Sequence, residues 1–321
     1  MSFFGELLRD KSYKPYQLGL RAFASLGLIS PVLLVINAPH GRFSSDSSSS
    51  KGWITRAWNA LSLDGKSLFS EIAMNLITLS SLGTFSWIIM ELPSPITLLY
   101  AFSQQTKLSD LLPLSLTPHS VLPLLFVGHY LNRAIISPLR TPSRSRSHLV
   151  VVLAAIVFNT INGSVNGTWL GVGARTGSLG WADVPTIYWV GVAMFGLGLW
   201  GNIWHDEVLL KIRKDKDGEK AEKPRYAIPY GGLYSLVSFP NYLCEWFEWA
   251  GFALASGSIT TRLQESLTLG RYGGVYITPT LLFVLVEVAL MLPRAQRGHE
   301  WYHEKFDDYP KERKAVIPFL L

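Results

Sequence analysis

Apolar runs long enough to cross a bilayer recur along this whole chain and do not collect in one core. Inside hydrocarbon no water meets the backbone N–H and C=O groups, so runs of about 20 apolar residues fold as helices that satisfy those groups internally. Seven segments qualify: 17–38, 69–92, 111–136, 148–170, 185–204, 233–256 and 275–293. Each reaches across about 30 Å at ~1.5 Å per residue. The composition agrees, with 48% hydrophobic and only 16% charged residues. The expected fold is all-α, a polytopic membrane bundle of seven transmembrane helices. The third segment carries Pro113, Pro118, His119, Pro123, His129, Asn132 and Arg133, too polar a set to face lipid, so it is expected among its neighbours.

Basic residues orient the bundle. The N-terminal stretch and the second, fourth and sixth loops hold seven Lys and Arg, whereas the first, third and fifth loops and the C-terminal tail hold twenty. Under the positive-inside rule the tail is cytoplasmic and the N-terminus lies on the other side. The net charge of +6 is therefore topology and headgroup contact, and no nucleic-acid partner is expected. The lone cysteine, Cys244, rules out an intramolecular disulfide and any multi-cysteine metal site.

Within 233–256, Asn241, Glu245 and Glu248 fall on one helical face. Carboxyl groups at bilayer depth are rare because an unpaired charge there costs several kcal/mol, so that face is expected to line a site or a wet cavity. Glu248 is expected in a helix-to-helix hydrogen bond. The loops are plainer. Residues 44–52 are serine-rich and read as a flexible linker, and Lys211 to Arg225 is a charged surface stretch with Gly218 and Pro224. From Arg294 the tail carries Trp301, Tyr302, Phe306, Tyr309 and Phe319, suited to packing under the bundle at the interface.

Three local patterns mislead. Gly196, Gly198 and Gly201 fit the dinucleotide fingerprint, but that motif needs a strand-to-helix turn and these glycines sit inside an apolar run, where they serve helix packing. Asn162-Gly163-Ser164 and Asn166-Gly167-Thr168 match glycosylation sequons at membrane depth, where hydrogen bonding between helices is the expected role. His299-Glu300-Trp301-Tyr302-His303 has zinc-protease spacing. It follows the last span, however, and lacks a third ligand at a distance; Leu63-Asp64-Gly65 precedes it.

A longer pattern absorbs those residues. Tyr226, Pro229, Gly231, Gly232, Tyr234, Ser238, Pro240, Asn241, Tyr242, Glu245, Glu248, Trp249 and Gly251, then Arg294, His299, Trp301, Tyr302, Phe306, Tyr309, Pro310, Lys311, Arg313, Lys314, Ile317, Pro318 and Phe319, stand in the order of the steroid 5α-reductases. Residues 148–321 resemble the C-terminal domain of that family. Upstream, Asn202 with His205 and Asp206, Asn162-Gly163, His129-Tyr130 with Arg133, Glu91-Leu92-Pro93-Ser94 and the loop 38–43 continue the resemblance. The chain thus reads as a single membrane-embedded reductase domain over 1–321.

The resemblance implies NADPH-dependent reduction of the C4–C5 double bond of a 3-oxo-Δ4-steroid, or of a sterol-like enone, in the endoplasmic reticulum membrane, with cytosolic loops holding the cofactor. Hydride reaches the β-carbon of an enone readily only when donors stabilise the carbonyl oxygen as it becomes an enolate. The resemblance assigns this to Glu91 and Tyr130, the glutamate acting as a buried acid and the tyrosine also as a proton source. It assigns the cofactor to Asn202, Asp206, Arg213, Tyr226, Asn241, Glu245, Arg294, His299 and Tyr302, with Arg144 as a further candidate. Arg213 and Arg294 suit the phosphates. Two departures stand out: Met90 where hormone-reducing members can carry glutamine, and Gly298 where a second histidine can stand. Enoyl-CoA and polyprenol reductases share much of the C-terminal pattern, and a lipid-binding or transport bundle also places polar groups at midplane.

Overall fold

The computed structural model describes residues 14–28, 81–106, 116–142, 149–177, 179–214, 226–260 and 267–321. The serine-rich loop, residues 38–43, Leu63 to Gly65, Arg144 and residues 215–225 lie outside the described residues. In chain order the helices are α1 (Lys14–Gly27), α2 (Ser81–Glu91), α3 (Pro93–Ser103), α4 (Pro118–Tyr130), the single turn α5 (Ser137–Arg140), α6 (Leu149–Thr176), α7 (Thr186–Arg213), α8 (Pro240–Ile259) and α9 (Pro279–Lys305). An antiparallel ribbon of two-residue strands, β1 (Arg271–Tyr272) and β2 (Val275–Tyr276), precedes α9. Four helical stretches among the described residues are long and apolar enough to cross a membrane: Gly83–Ser103, Val151–Thr176, Thr186–Arg213 and Pro279–Lys305. The fold is that of an all-helical membrane protein. The helix α8 is as long as a span but carries the Asn241, Glu245 and Glu248 face.

The expected second span ended at residue 92, where prolines follow. In the structure the helix continues. Leu92 stays helical, its N–H bonded to Ile88 O at 3.0 Å and its own carbonyl accepting from Ile96 N at 3.3 Å. Pro93 and Pro95 fall in the first turn of α3, where a missing N–H leaves no bond broken. Glu91 consequently sits mid-way along the helical stretch Gly83–Ser103.

Two helix pairs set the frame, and glycine lets each approach closely. A Cβ on Gly167 of α6 would fall 2.3 Å from the Leu98 carbonyl oxygen of α3, and one on Gly198 of α7 would fall 2.5 Å from the Glu248 amide of α8. The fingerprint-like run lies wholly within α7, where Gly198 and Gly201 are helix-packing residues against α8 and Gly196 is not. Between the pairs an aromatic core forms around Trp249, whose ring lies 5.3 Å from Phe126 and 4.9 Å from Phe283.

The tail does not run free. Val237 bridges Lys314 in parallel, Ser238 N donates to Lys314 O at 2.8 Å, and Phe239 N donates to Ala315 O at 3.0 Å, so residues 314–315 pair with the strand-like lead into α8. Tyr302 stacks on Tyr309 at 5.1 Å, and the Tyr309 hydroxyl shares a 2.6 Å hydrogen bond with Ser238. Burial pushes the Tyr309 phenol above its ordinary pKa, against the opposing pull of Ser238 and Arg313. Gly298 meets the Phe239 ring, where a Cβ would fall 2.1 Å away, so a histidine there requires Phe239 to move.

Candidate active site

Within the third expected segment, 111–136, Thr117 caps α4: its side chain accepts from Ser120 N while the Ser120 hydroxyl accepts from Thr117 N. At Tyr130 the α-helix widens into a π turn, Leu131–Ile136, in which Ser137 N bonds to Asn132 O. Pro138 accounts for the change, because it has no N–H and its ring collides with the carbonyl four residues back. Widened turns of this kind recur at functional sites. Here His129, Tyr130, Asn132, Arg133, Ser137 and Arg140 all line one cavity of about 670 Å³, within the ~300–1,000 Å³ usual for cofactor and ligand sites.

Tyr130 is buried, and its hydroxyl is held from α6: it donates to Asn159 Oδ1 and accepts from Asn162 Nδ2, both at 3.3 Å. Asn159 in turn donates to the Met90 carbonyl at 2.7 Å, and Asn162 to Ser94 Oγ at 3.1 Å, so the two asparagines tie Tyr130 to the Glu91 helix. Of the two sequon asparagines Asn162 bonds between helices, whereas Asn166 donates within α6, to Asn162 Oδ1 at 2.7 Å.

A charged cluster adjoins. Arg133 Nη1 lies 3.2 Å from Glu245 Oε1 and its Nε lies 3.6 Å from Glu91 Oε1, so one guanidinium joins a residue of α2 to a residue of α8. His129 Nδ1 meets Glu248 Oε1 at 2.8 Å, which gives Glu248 the helix-to-helix bond expected of it. Asn202 donates to Glu245 Oε2 at 3.3 Å and to the Asn241 carbonyl at 3.0 Å, and Asn241 Nδ2 donates to Asp206 Oδ1 at 3.0 Å. Asn241 Oδ1 is buried with no hydrogen-bond partner among the described residues. At the far end Arg140 and Glu207 form a two-pronged ion pair.

Of the residues singled out from sequence, the cavity brings together Glu91, Tyr130, Asn202, Asp206, Arg213, Asn241, Glu245, Arg294 and Tyr302. It does not include Tyr226 or His299. Tyr226 packs on Trp301 at 5.1 Å, and His299 Nδ1 meets Ser238 Oγ at 2.7 Å, one side chain behind the lining. His303 stacks edge-on against His299 at 4.5 Å, and among the described residues no three His, Cys, Asp or Glu side chains gather where a metal would need them. Asn159 and Glu287 line the cavity and were not anticipated. Each is a polar residue inside an apolar run, the signal that exposed the α8 face.

A family model described as 3-oxo-5-alpha-steroid 4-dehydrogenase matches residues 145–268 and 274–321, more than half of the chain. The chain belongs to this family. An uncharacterised protein of Schizosaccharomyces pombe is 34% identical over 315 residues, covering 91% of this chain and 94% of that protein. The 3-oxo-5-alpha-steroid 4-dehydrogenase 1 of Rattus norvegicus is 36% identical over 238 residues, 74% of this chain and 79% of the relative. That of Bos taurus is 31% identical over 298 residues, 92% and 93% respectively. As a member of the 3-oxo-5-alpha-steroid 4-dehydrogenase family the protein is an oxidoreductase acting on CH–CH groups. The matched residues of the family include α6 to α9 and the paired tail, hence the whole Asn202, Asn241, Glu245 and Arg294 side of the cavity.

Proposed function

We propose that this enzyme reduces the C4–C5 double bond of a 3-oxo-Δ4-steroid with NADPH, in a cavity reached from the bilayer on one side and from the cytosol on the other. The observation that carries the reading is the continuity of that cavity, which holds Tyr130 and Glu91 together with Asn202, Asp206, Asn241, Glu245, Arg213 and Arg294. The relatives supply the chemistry by their names; the residues supply a means for it.

The donor set fits NADPH. Arg213 and Arg294 are guanidinium groups at the C-terminal parts of α7 and α9, suited to phosphate oxygens. The buried, unpartnered Oδ1 of Asn241, beside Glu245, suits the two N–H groups of a nicotinamide carboxamide. Bound NADPH supplies hydride to the carbon β to the carbonyl. The chain's own part is to hold the enone: the Tyr130 O–H, which donates to Asn159 Oδ1 in the structure, turns to the oxygen on which charge develops while its own oxygen keeps the bond from Asn162 Nδ2. Glu91, half-buried and 3.6 Å from Arg133 Nε, is the second group assigned to the enone. Burial by Trp249, Phe126 and Phe283 excludes water that would compete for these bonds. The apolar lining of Leu26, Trp87, Met90 and Phe158 suits a rigid hydrocarbon skeleton. We further propose one reductase unit over 1–321, seven spans, a cytoplasmic C-terminus and residence in the endoplasmic reticulum; the excess of basic residues in alternate loops supports the orientation.

Purified protein in bilayer discs, given NADPH and in turn a 3-oxo-Δ4-steroid, a long-chain enoyl-CoA or a polyprenal, tests the substrate class. The steroid is expected to oxidise NADPH fastest. Turnover confined to the enoyl-CoA or the polyprenal contradicts the proposal.

A further inference from the structure

The widened turn Leu131–Ile136 takes the backbone amide away from one of its own carbonyls. In an α-helix Arg133 O accepts from the N–H four residues on, at Ser137, and in a π turn from the N–H five residues on. Here Ser137 N bonds to Asn132 O, and residue 138 is a proline with no N–H. Neither backbone donor is left for Arg133 O. A carbonyl in that position costs free energy unless a side chain or water meets it.

A side chain of α2 meets it. Trp87 Nε1 donates to Arg133 O at 3.1 Å, between residues 46 apart in sequence. The ring of the same tryptophan lies 5.4 Å from the Arg133 guanidinium carbon, within the reach of a cation–π attraction. Glu91, one turn further along α2, faces the guanidinium Nε at 3.6 Å. The carbonyl and the side chain of Arg133 are therefore both held from one face of α2, and Trp87 and Arg133 both line the cavity. The extra residue of a widened turn rotates the helix before it against the helix after it by about 100°. It thus sets which way Tyr130, the last residue of α4, faces.

We infer that Trp87 is a positioning residue for the reaction: its indole N–H takes the place of the amide that Pro138 lacks and keeps the turn widened, with Tyr130 and Arg133 presented to the cavity. Without that bond, Arg133 O regains a backbone partner only by taking Ser137 N–H back from Asn132 O. That exchange narrows the turn and swings Tyr130 away from its bonds to Asn159 and Asn162. The inference rests on the reading that gives Tyr130 the enone oxygen, while the hold of Trp87 on the turn is measurable without any substrate.

The test is a double-mutant cycle on the full chain in bilayer discs: wild type, Trp87→Phe, Pro138→Ala and the two combined. Phe keeps a ring beside the guanidinium and removes the N–H. Ala at 138 restores a backbone amide five residues beyond Arg133, where a widened turn can use it. Trp87→Phe is expected to lower kcat about fivefold, the scale of one neutral hydrogen bond, with KM for a 3-oxo-Δ4-steroid within about twofold. In the Pro138→Ala background the same change is expected to cost less than about twofold. An equal loss of kcat in both backgrounds, or a rise in KM with kcat unchanged, overturns the inference, because the ring then acts by packing or by touching the steroid. Should Pro138→Ala fail to fold, hydrogen exchange of wild type and Trp87→Phe without substrate takes its place. Protection is expected to fall across 131–137 and to hold in α6, and unchanged protection across 131–137 overturns the inference. A wild type that reduces no 3-oxo-Δ4-steroid overturns the proposed function instead, and the exchange measurement still upholds or overturns the hold of Trp87 on the turn.

Discussion

Arg133 Nη1 lies 3.2 Å from Glu245 Oε1, and through that pair the π turn that follows Tyr130 is locked to the helix that carries Asn241. The side of the cavity assigned to the enone and the side assigned to the cofactor therefore share one guanidinium, whose Nε also faces Glu91. Moving either wall disturbs the other.

Replacing Arg133 by Leu leaves Glu245 and Glu91 without their cation. Breaking a buried pair costs about 3 kcal/mol or more, and less here because the Arg133 side chain is 28% exposed to the cavity. Arg133→Leu is expected to lower the melting temperature and weaken NADPH binding together. Arg133→Lys retains the charge but cannot reach both carboxyls, so it should restore stability more than it restores turnover. Differential scanning fluorimetry and NADPH titration on the same samples check both.

Asn159 touches neither cofactor nor enone in this account; it positions Tyr130. Losing one hydrogen bond of about 1 kcal/mol should reduce kcat roughly fivefold in Asn159→Ala. The Kd for NADPH should stay at the wild-type value. A change in NADPH affinity equal to the change in kcat contradicts a positioning role.

Gly196 and Gly198 stand two residues apart and should behave oppositely. A Cβ on Gly198 meets the Glu248 backbone, whereas one on Gly196 meets nothing within 4 Å. Gly198→Ala is expected to destabilise by about 1–3 kcal/mol through overpacking. Gly196→Ala should be neutral or slightly stabilising, since alanine favours helix by up to about 1 kcal/mol. Thermal melts in one detergent decide it.

The tail should loosen in alkali. Tyr309 has a folded pKa above the ordinary value of 10.0. The unfolded phenol ionises first, so the stability it contributes is complete below pH ~10 and is lost as pH rises from there through the folded pKa. Protease cleavage of the tail should rise above pH ~10 in the wild type and rise less in Tyr309→Phe, which has no proton to lose.

The α8 face was legible because Asn241, Glu245 and Glu248 interrupt an apolar run at helical spacing, and hydrocarbon tolerates such a stripe only for cause. By the same logic Asn159, Asn162 and Asn166 form a stripe on α6, and Glu287 is the one carboxyl in the apolar part of α9, 279–293; Asn162 and Asn166 were read as sequons, Asn159 was not singled out, and Glu287 lacked a neighbour to mark it. The second helix was cut short at Leu92 because Pro93 and Pro95 read as a stop. In the structure they open a first turn, a distinction that depends on where the preceding helix points. The π turn at Tyr130 was not legible either: Pro138 requires some local adjustment, and a kink and a widened turn both meet that need. His299 was placed at the cofactor by resemblance, whereas its position is fixed by the tail returning to Ser238, a contact between residues 61 apart in sequence.

The central claim is that Tyr130 and Glu91 polarise an enone that takes hydride from NADPH. The direct measurement is single-turnover transfer of deuterium from NADPH deuterated at the nicotinamide C4 to a 3-oxo-Δ4-steroid, in wild type and in the Glu91→Gln and Tyr130→Phe double variant. The account predicts deuterium at steroid C5 with the wild type. It also predicts at least about a hundredfold slower transfer in the double variant, the scale of losing an oxyanion donor, with NADPH still bound. Deuterium transfer at the wild-type rate in the double variant, or none to the steroid in the wild type, contradicts it.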